Sequence, residues 1–276
     1  MQSKAKENHH YNQLRFAVPD QYEAVFSHFY FAENRTGDTI VKTLLPSFQT
    51  ILIFNFGPNA LLRSSQGNEV EVDKCLVIGP IKKAFEYALP ENSEILVANF
   101  KDDAFYRFFG TASIAEHVPL NPDELLNENC FTILWEDLNH IQDTNDRVQH
   151  ILQFCEPYLQ HRNSIAEQLA NFKEQSQDPI KSIASQNSQS ERTVQIHHKK
   201  HFGYSSKEIS RYQRFLKAVQ LIQDIATKGS KMDWPEIIEA CGYYDQSQLI
   251  HDFNHFTGLS PAKYLKFQQD ICNPRS

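Results

Sequence analysis

Residues 233–269, DWPEIIEACGYYDQSQLIHDFNHFTGLSPAKYLKFQQ, are punctuated as three short helices separated by tight turns. Asp233 stands as an N-cap ahead of Trp234-Pro235, and Gly242 closes the run PEIIEAC. Asp245 caps QSQLIHDFNHF, Gly258 ends it, and Ser260-Pro261 opens a final helix, AKYLKFQQ. Ile237, Ile238 and Cys241 fall inward in the first helix, and Leu249, Ile250, Phe253 and Phe256 make a stripe at helical spacing in the second. Gln246, Ser247, Gln248 and His251 are left facing outward near the start of that second helix. A short helix, a tight turn and a second helix with a polar outer face form the helix-turn-helix pattern, whose second helix enters the DNA major groove. Glutamine suits the N6/N7 edge of adenine.

The same pattern stands upstream. Asp178-Pro179 starts a helix with Ile180, Ile183 and Ala184 on its apolar face, and the polar run SQNSQ interrupts it. Ser190 then caps SERTVQIHHKKHF, which Gly203 stops. Between the two units, residues 206–227 are compatible with one helix of ~33 Å at 1.5 Å per residue. That length is close to the ~34 Å of one turn of B-DNA, so two recognition helices held this far apart could enter successive major grooves.

Charge divides the chain in the same place. Residues 1–177 hold 14 Lys+Arg and 24 Asp+Glu, net −10, whereas residues 178–276 hold 13 and 10, net +3, which together give the overall −7. From Arg192 to Lys217 the count is seven basic residues against Glu208 alone, net +6. Such local clusters, rather than an average pI, make the electrostatic footprint for a phosphate backbone. A solvated helix face without a partner is the plainer reading of charge alone.

The first half reads as β. FSHFYFA (26–32), TILIFNF (50–56), KCLVIG (74–79), KAFEYAL (83–89) and EILVANF (94–100) are short, aromatic and β-branched, with turn signals between them. Five or more such strands predict a small antiparallel barrel or sandwich. DDAFYRFFG predicts a short helix closed by Gly110, and a helical arm follows through Val148, Ile151, Leu152, Cys155 and Leu159, divided near Pro157, to Ile165, Leu169 and Phe172. This arm could pack on its own β domain or face a second copy in a homodimer; the spacing leaves both open.

Composition excludes several classes. With 41% hydrophobic residues, 9 Gly and 12 Pro, the chain is neither collagen-like nor wholly disordered. No apolar run reaches the ~18 residues of a membrane span, and the polar start MQSKAKENHHYNQ reads as a flexible tail over residues 1–13, without a secretory signal. Cys75, Cys130, Cys155, Cys241 and Cys272 are scattered and odd in number, which fits a reduced, cytoplasmic protein with structural thiols. His197 and His201 are four apart, as helical metal ligands are, but lack a thiol or acidic neighbour, and His28 and His117 stand alone. No metal or other cofactor is expected, and no nucleophile or phosphate-loop motif supports an enzyme. Phe54, Phe56, Phe108 and Phe109 are read as core, with ligand lining as the alternative.

The carboxy-terminal hundred residues resemble the DNA-binding domain of the AraC-type transcription regulators. SERTVQIHHKKHFGYSSKEISRYQRF is similar to that family's first recognition helix and the start of its connecting helix, and GYYDQSQLIHDFNHFTGLSPAKY to its most specific signature. More weakly, LIFNFG, CLVIGP and NFKDDAFYRFFG resemble the β-rich sensor domain of some members. The resemblance implies base contacts from Arg192, Gln195, Ile196, Gln246, Ser247 and His251, and backbone or flanking contacts from Thr193, Lys199, Lys200, Lys207 and Gln248. It also implies contact with RNA polymerase at promoters. Three positions depart from the family pattern: Ile196 and His251 stand where Arg is frequent, and His198 where a core aromatic is usual. The first helix is therefore expected to discriminate sequence less and to lean on Arg192, Lys199 and Lys200.

The combined expectation is an α+β chain of two domains. Residues 14–177 form a cupin-like β-barrel with a helical arm, for sensing an unknown small-molecule effector or for oligomerisation, and residues 178–276 an all-helical domain that binds double-stranded DNA. The rivals are a protein-interaction or ligand-binding module with weakened DNA binding, favoured by Ile196 and His198, and a small-molecule enzyme on the β domain.

Overall fold

The computed structural model describes residues 10–64, 67–112, 119–172, 178–229, 231–266 and 271–272. The first half holds nine strands: β1 (Tyr11–Phe16), β2 (Phe26–Asn34), β3 (Ile40–Leu44), β4 (Ile51–Asn55), β5 (Ala60–Ser64), β6 (Glu69–Val72), β7 (Cys75–Ile78), β8 (Phe85–Leu89) and β9 (Glu94–Phe100). Helices α1 (Ala104–Phe109), α2 (Pro122–Leu126), α3 (Cys130–His140), α4 (Thr144–Cys155) and α5 (Ser164–Asn171) follow. The carboxy-terminal part contains α6 (Pro179–Gln186), α7 (Glu191–Phe202), α8 (Ser206–Thr227), α9 (Trp234–Cys241), α10 (Gln246–Thr257) and α11 (Pro261–Lys266), then the two-residue β10 (Ile271–Cys272).

Two five-stranded sheets, ordered β1-β2-β9-β4-β7 and β10-β3-β8-β5-β6, make the β domain. Every pairing is antiparallel except that of β10 with β3. Ile51, Ile53, Ile95 and Val97 of the first sheet meet Leu62, Phe85, Tyr87 and Leu89 of the second in one buried cluster. The alternate residues of the first sheet, Phe29, Phe31, Leu52, Phe54, Leu96 and Phe100, pack instead under α1, α3 and α4. Because both faces of this sheet are covered, its strands read as unbroken apolar runs, such as TILIFNF. The first part of the helical arm, through α4 to Leu159, packs on its own β domain, whereas Ile165 of α5 is buried against Ile180, Ile183 and Val194 of α6 and α7.

Several details differ from the sequence expectation. Tyr11, Asn12 and Gln13, assigned to the flexible tail, are the first residues of β1 and pair with Asn34, Glu33 and Ala32; residues 1–9 lie outside the described part. Strands β1, β3, β5 and β6 lie outside the sequence expectation, because YNQLRF, ALLRS and EVEV place polar side chains on an exposed face and IVKTL is short and partly exposed throughout. Phe54 and Phe108 are fully enclosed and Phe109 nearly so, all within the core beneath the helices, which favours packing over ligand lining. Phe56 is half-buried, with the Arg147 guanidinium 4.1 Å from its ring centre. Burial pushes the Cys75 thiol up to about 12 and raises Cys155 and Cys241 as well, so these thiols are protonated packing groups.

Candidate nucleic-acid interface

Helices α6 to α10 begin and end where the punctuation placed them, and the expected end of the last helix, at Gln269, lies outside the described residues. The Asp178 side chain accepts from the backbone N–H of Ile180 at 2.9 Å, and Ser190 from that of Thr193 at 3.1 Å. Asp245 accepts from the N–H of Gln248 at 2.8 Å, while Gly203, Gly242 and Gly258 close their helices with positive φ. Between the two units α8 runs unbroken for 22 residues. Its start is a reciprocal capping box: Ser205 accepts from the N–H of Glu208, and Glu208 accepts from the N–H of Ser205.

Two outward faces result. On α7, Val194, His198 and Phe202 are buried, whereas Arg192, Gln195, Ile196 and Lys199 are exposed at i, i+3, i+4 and i+7, one stripe of the helix. Ile196 is 58% exposed, unusual for an aliphatic side chain and suited to apolar contact with a thymine methyl. Thr193 is half-buried, with its hydroxyl 2.8 Å from that of Ser190, so it serves the cap. On α10, Gln246, Ser247 and His251 are exposed, and Leu249, Phe253 and Phe256 are buried. Gln248, expected at the DNA backbone or flanking it, is half-buried and accepts the N–H of Tyr244 at 2.9 Å, which braces the turn.

The basic stripe is partly occupied within the protein. Asp252 on α10 is buried and accepts from Arg211 Nε at 2.6 Å and from an Arg214 terminal nitrogen at 2.9 Å. Arg214 also lies over the Tyr243 ring, and Lys217 donates to the carbonyl of Ala240. These contacts fasten α8 to the second unit, so part of the +6 stripe is structural glue. Arg192, Lys199, Lys200 and Lys207 remain on the surface, with the Lys200 ammonium 5.6 Å from the ring centre of Tyr106 on α1. Sequence could not show this division, because Asp252 reads as one more polar residue in DQSQLIHDF.

The histidines take three different roles. His198 is buried, and its Nδ1 lies 2.8 Å from the carbonyl of Tyr204, an acceptor only, so Nδ1 carries the proton. Burial lowers its pKa, and the ring is a satisfied core group. His251 has a 74% exposed side chain, and its Nδ1 lies 3.0 Å from an Arg211 nitrogen that can only donate. In that bond Nδ1 is the acceptor and Nε2–H is the donor presented to solvent. His197 and His201 stack on each other, and His201 lies 4.2 Å from the Tyr106 ring. Among the described residues no group of three His, Cys, Asp or Glu could hold a metal; His117 lies outside them. His28 is buried beside Ser27, and burial chiefly lowers its pKa to about 4.

Two capped helix-turn-helix units on one long helix, each presenting polar side chains from the first turns of its second helix, define a DNA-binding class of protein. Residues 183–266 match the profile of a helix-turn-helix domain family. The sequence matches no curated protein. Among solved structures, ToxT from Vibrio cholerae is similar, at 12% identity over 95% of this chain and 98% of that one, with a TM-score of 0.40. Vibrio cholerae ToxT bound to an unsaturated fatty acid gives 11% identity, 95% and 97% coverage and a TM-score of 0.37. An RmlC-like cupin protein from Desulfovibrio desulfuricans covers 36% of this chain and 92% of its own, at 9% identity and a TM-score of 0.27. Among the described residues no helix is long and apolar enough to cross a membrane.

Proposed function

We propose that the protein is a sequence-specific, DNA-binding transcription regulator acting in the cytoplasm without enzymatic activity. The reading rests on one observation above all: two N-capped recognition helices expose Arg192, Gln195, Ile196 and Lys199 in one case and Gln246, Ser247 and His251 in the other. Arg192, Gln195, Ile196, Gln246, Ser247 and His251 meet base edges in this account, and Lys199, Lys200 and Lys207 meet phosphates. Thr193 and Gln248 flank the contact through the caps and turns they hold. Residues 178–276 act as the reader and residues 14–177 as a sensor or assembly domain. An effector that prefers one arrangement of the two would shift the population able to engage DNA. At promoters the reader is taken to work beside RNA polymerase, and a homodimer would double the site.

The test is binding of the full chain to random duplex DNA at two salt concentrations, followed by selection of preferred sequences. The proposal expects affinity that falls steeply with salt, as counterion release requires, and a recoverable consensus. Undetectable binding at low salt would leave the protein-interaction module as the better reading.

A further inference from the structure

Both recognition helices are held at the ends away from their exposed reading residues, and the β domain does part of the holding. At the end of α7, Gly203 adopts φ +78, and a Cβ there would run into the carbonyl oxygen of Ala112 and lie 2.8 Å from Pro80 Cγ. Near the end of α10, the carbonyl of Phe256 accepts from the N–H of Ala84 at 2.7 Å. This carbonyl belongs to the last turn, where a helix leaves acceptors without intrahelical donors. Between them, Lys82 reaches Glu208 at 2.9 Å, and the Tyr212 hydroxyl of α8 donates to the carbonyl of Pro46.

Phe48 stands at the centre of this contact. Its ring stacks on Tyr212 at 4.5 Å, meets Tyr204 edge-on at 5.1 Å and lies 6.3 Å from Phe256. One side chain of the β domain thereby touches the α7–α8 junction, α8 and α10, and is 6% exposed. Its backbone has φ 56, a left-handed conformation costly for a bulky residue unless the surroundings impose it. They do so here: the N–H groups of Ser47 and Phe48 both donate to the carbonyl of Ile81 at 3.0 Å.

We infer that the loops around Phe48 and Ala84 are positioning elements of the DNA reader, and that Phe48 fixes the relative placement of the two recognition helices and hence the base-pair spacing the protein accepts. The inference rests on the proposed DNA-binding function. Without Phe48 each unit keeps its own core and its own exposed residues, but the two would no longer be held at one separation.

The experiment uses the full chain on the selected DNA site, with variants of that site carrying two extra or two missing base pairs between the half-sites. Wild-type protein is expected to lose about tenfold or more in affinity on respacing, comparable to a mismatched base pair. Phe48→Ala is expected to bind the original site more weakly and to lose no more than about threefold on respacing. Lys82→Glu, which faces Glu208 with a like charge and keeps the aromatic contact, should relax spacing in the same direction and serves if Phe48→Ala does not fold. Unchanged spacing discrimination in a folded variant overturns the inference while leaving DNA binding intact. Failure of wild-type protein to bind any duplex overturns the functional reading itself.

Discussion

The two helix-turn-helix units share a plan and differ in chemistry. The first presents Arg192 and Lys199 around a single amide, Gln195, and an aliphatic residue, Ile196, with Lys200 and Lys207 nearby. The second presents Gln246, Ser247 and His251, with no lysine or arginine in its recognition helix, and the arginines beneath it are bound to Asp252. The lysines grip phosphates irrespective of sequence, whereas short hydrogen-bonding groups on a braced helix report base edges. The first unit is thus suited to anchoring and the second to reading. Charge placement alone did not reveal this, because Arg211 and Arg214 counted equally with Lys199 in the sequence.

The contrast breaks most severely at Asp252. Asp252→Ala removes the buried partner of Arg211 and Arg214, and a loss of about 2–4 kcal/mol is expected. Thermal unfolding would report it, and a change below about 0.5 kcal/mol would mean the pairing is not structural. Gln246→Ala should cost about 1–3 kcal/mol on the selected site and little on random DNA. Equal loss on both would show that α10 lies in a different register from the one assigned. Lys199→Ala and Lys200→Ala should weaken all sequences alike, each lowering the salt slope by about one phosphate contact. Lys200 should show the smaller effect, because its ammonium already has the Tyr106 ring.

The smallest expected effect concerns pH. His198 has a lowered pKa in the folded chain, owing chiefly to burial, so the unfolded chain binds its proton first as pH falls. Its contribution is fully present above the unfolded value near 6.5 and is lost on acidification below it. His198→Phe should therefore flatten the fall in melting temperature between pH 7 and pH 5. An unchanged pH profile would place the acid sensitivity elsewhere, for example at His28, whose proton stays off until about pH 4.

How much was legible depends on how local the signal was. Caps, glycine stops and the apolar stripes of α7 and α10 act within a few residues, so helix limits and outward faces could be read from the sequence. His198 could be placed at a core position, but its partner, the Tyr204 carbonyl, comes only with the fold of the following turn. Strands β1, β5 and β6 escaped because partly exposed strands carry half the apolar signal of the doubly covered β4 and β9. The contacts that join the parts were illegible for another reason. Asp252 with Arg211 and Arg214, Phe48 with Tyr212, and Lys82 with Glu208 link residues 38 to 164 positions apart, and no periodicity encodes such pairs. Gln248 could be placed near the start of α10, but its bond to the N–H of Tyr244 comes only with the fold of the turn.

The division of labour between the units is tested most directly by selection from a random duplex pool with the full chain and, in parallel, with Gln246→Ala. The account predicts two blocks of preference about one helical turn apart, one rich in sequence information and one weak, with the rich block collapsing in the Gln246 variant. Two equally informative blocks, or a rich block untouched by Gln246→Ala, would contradict it.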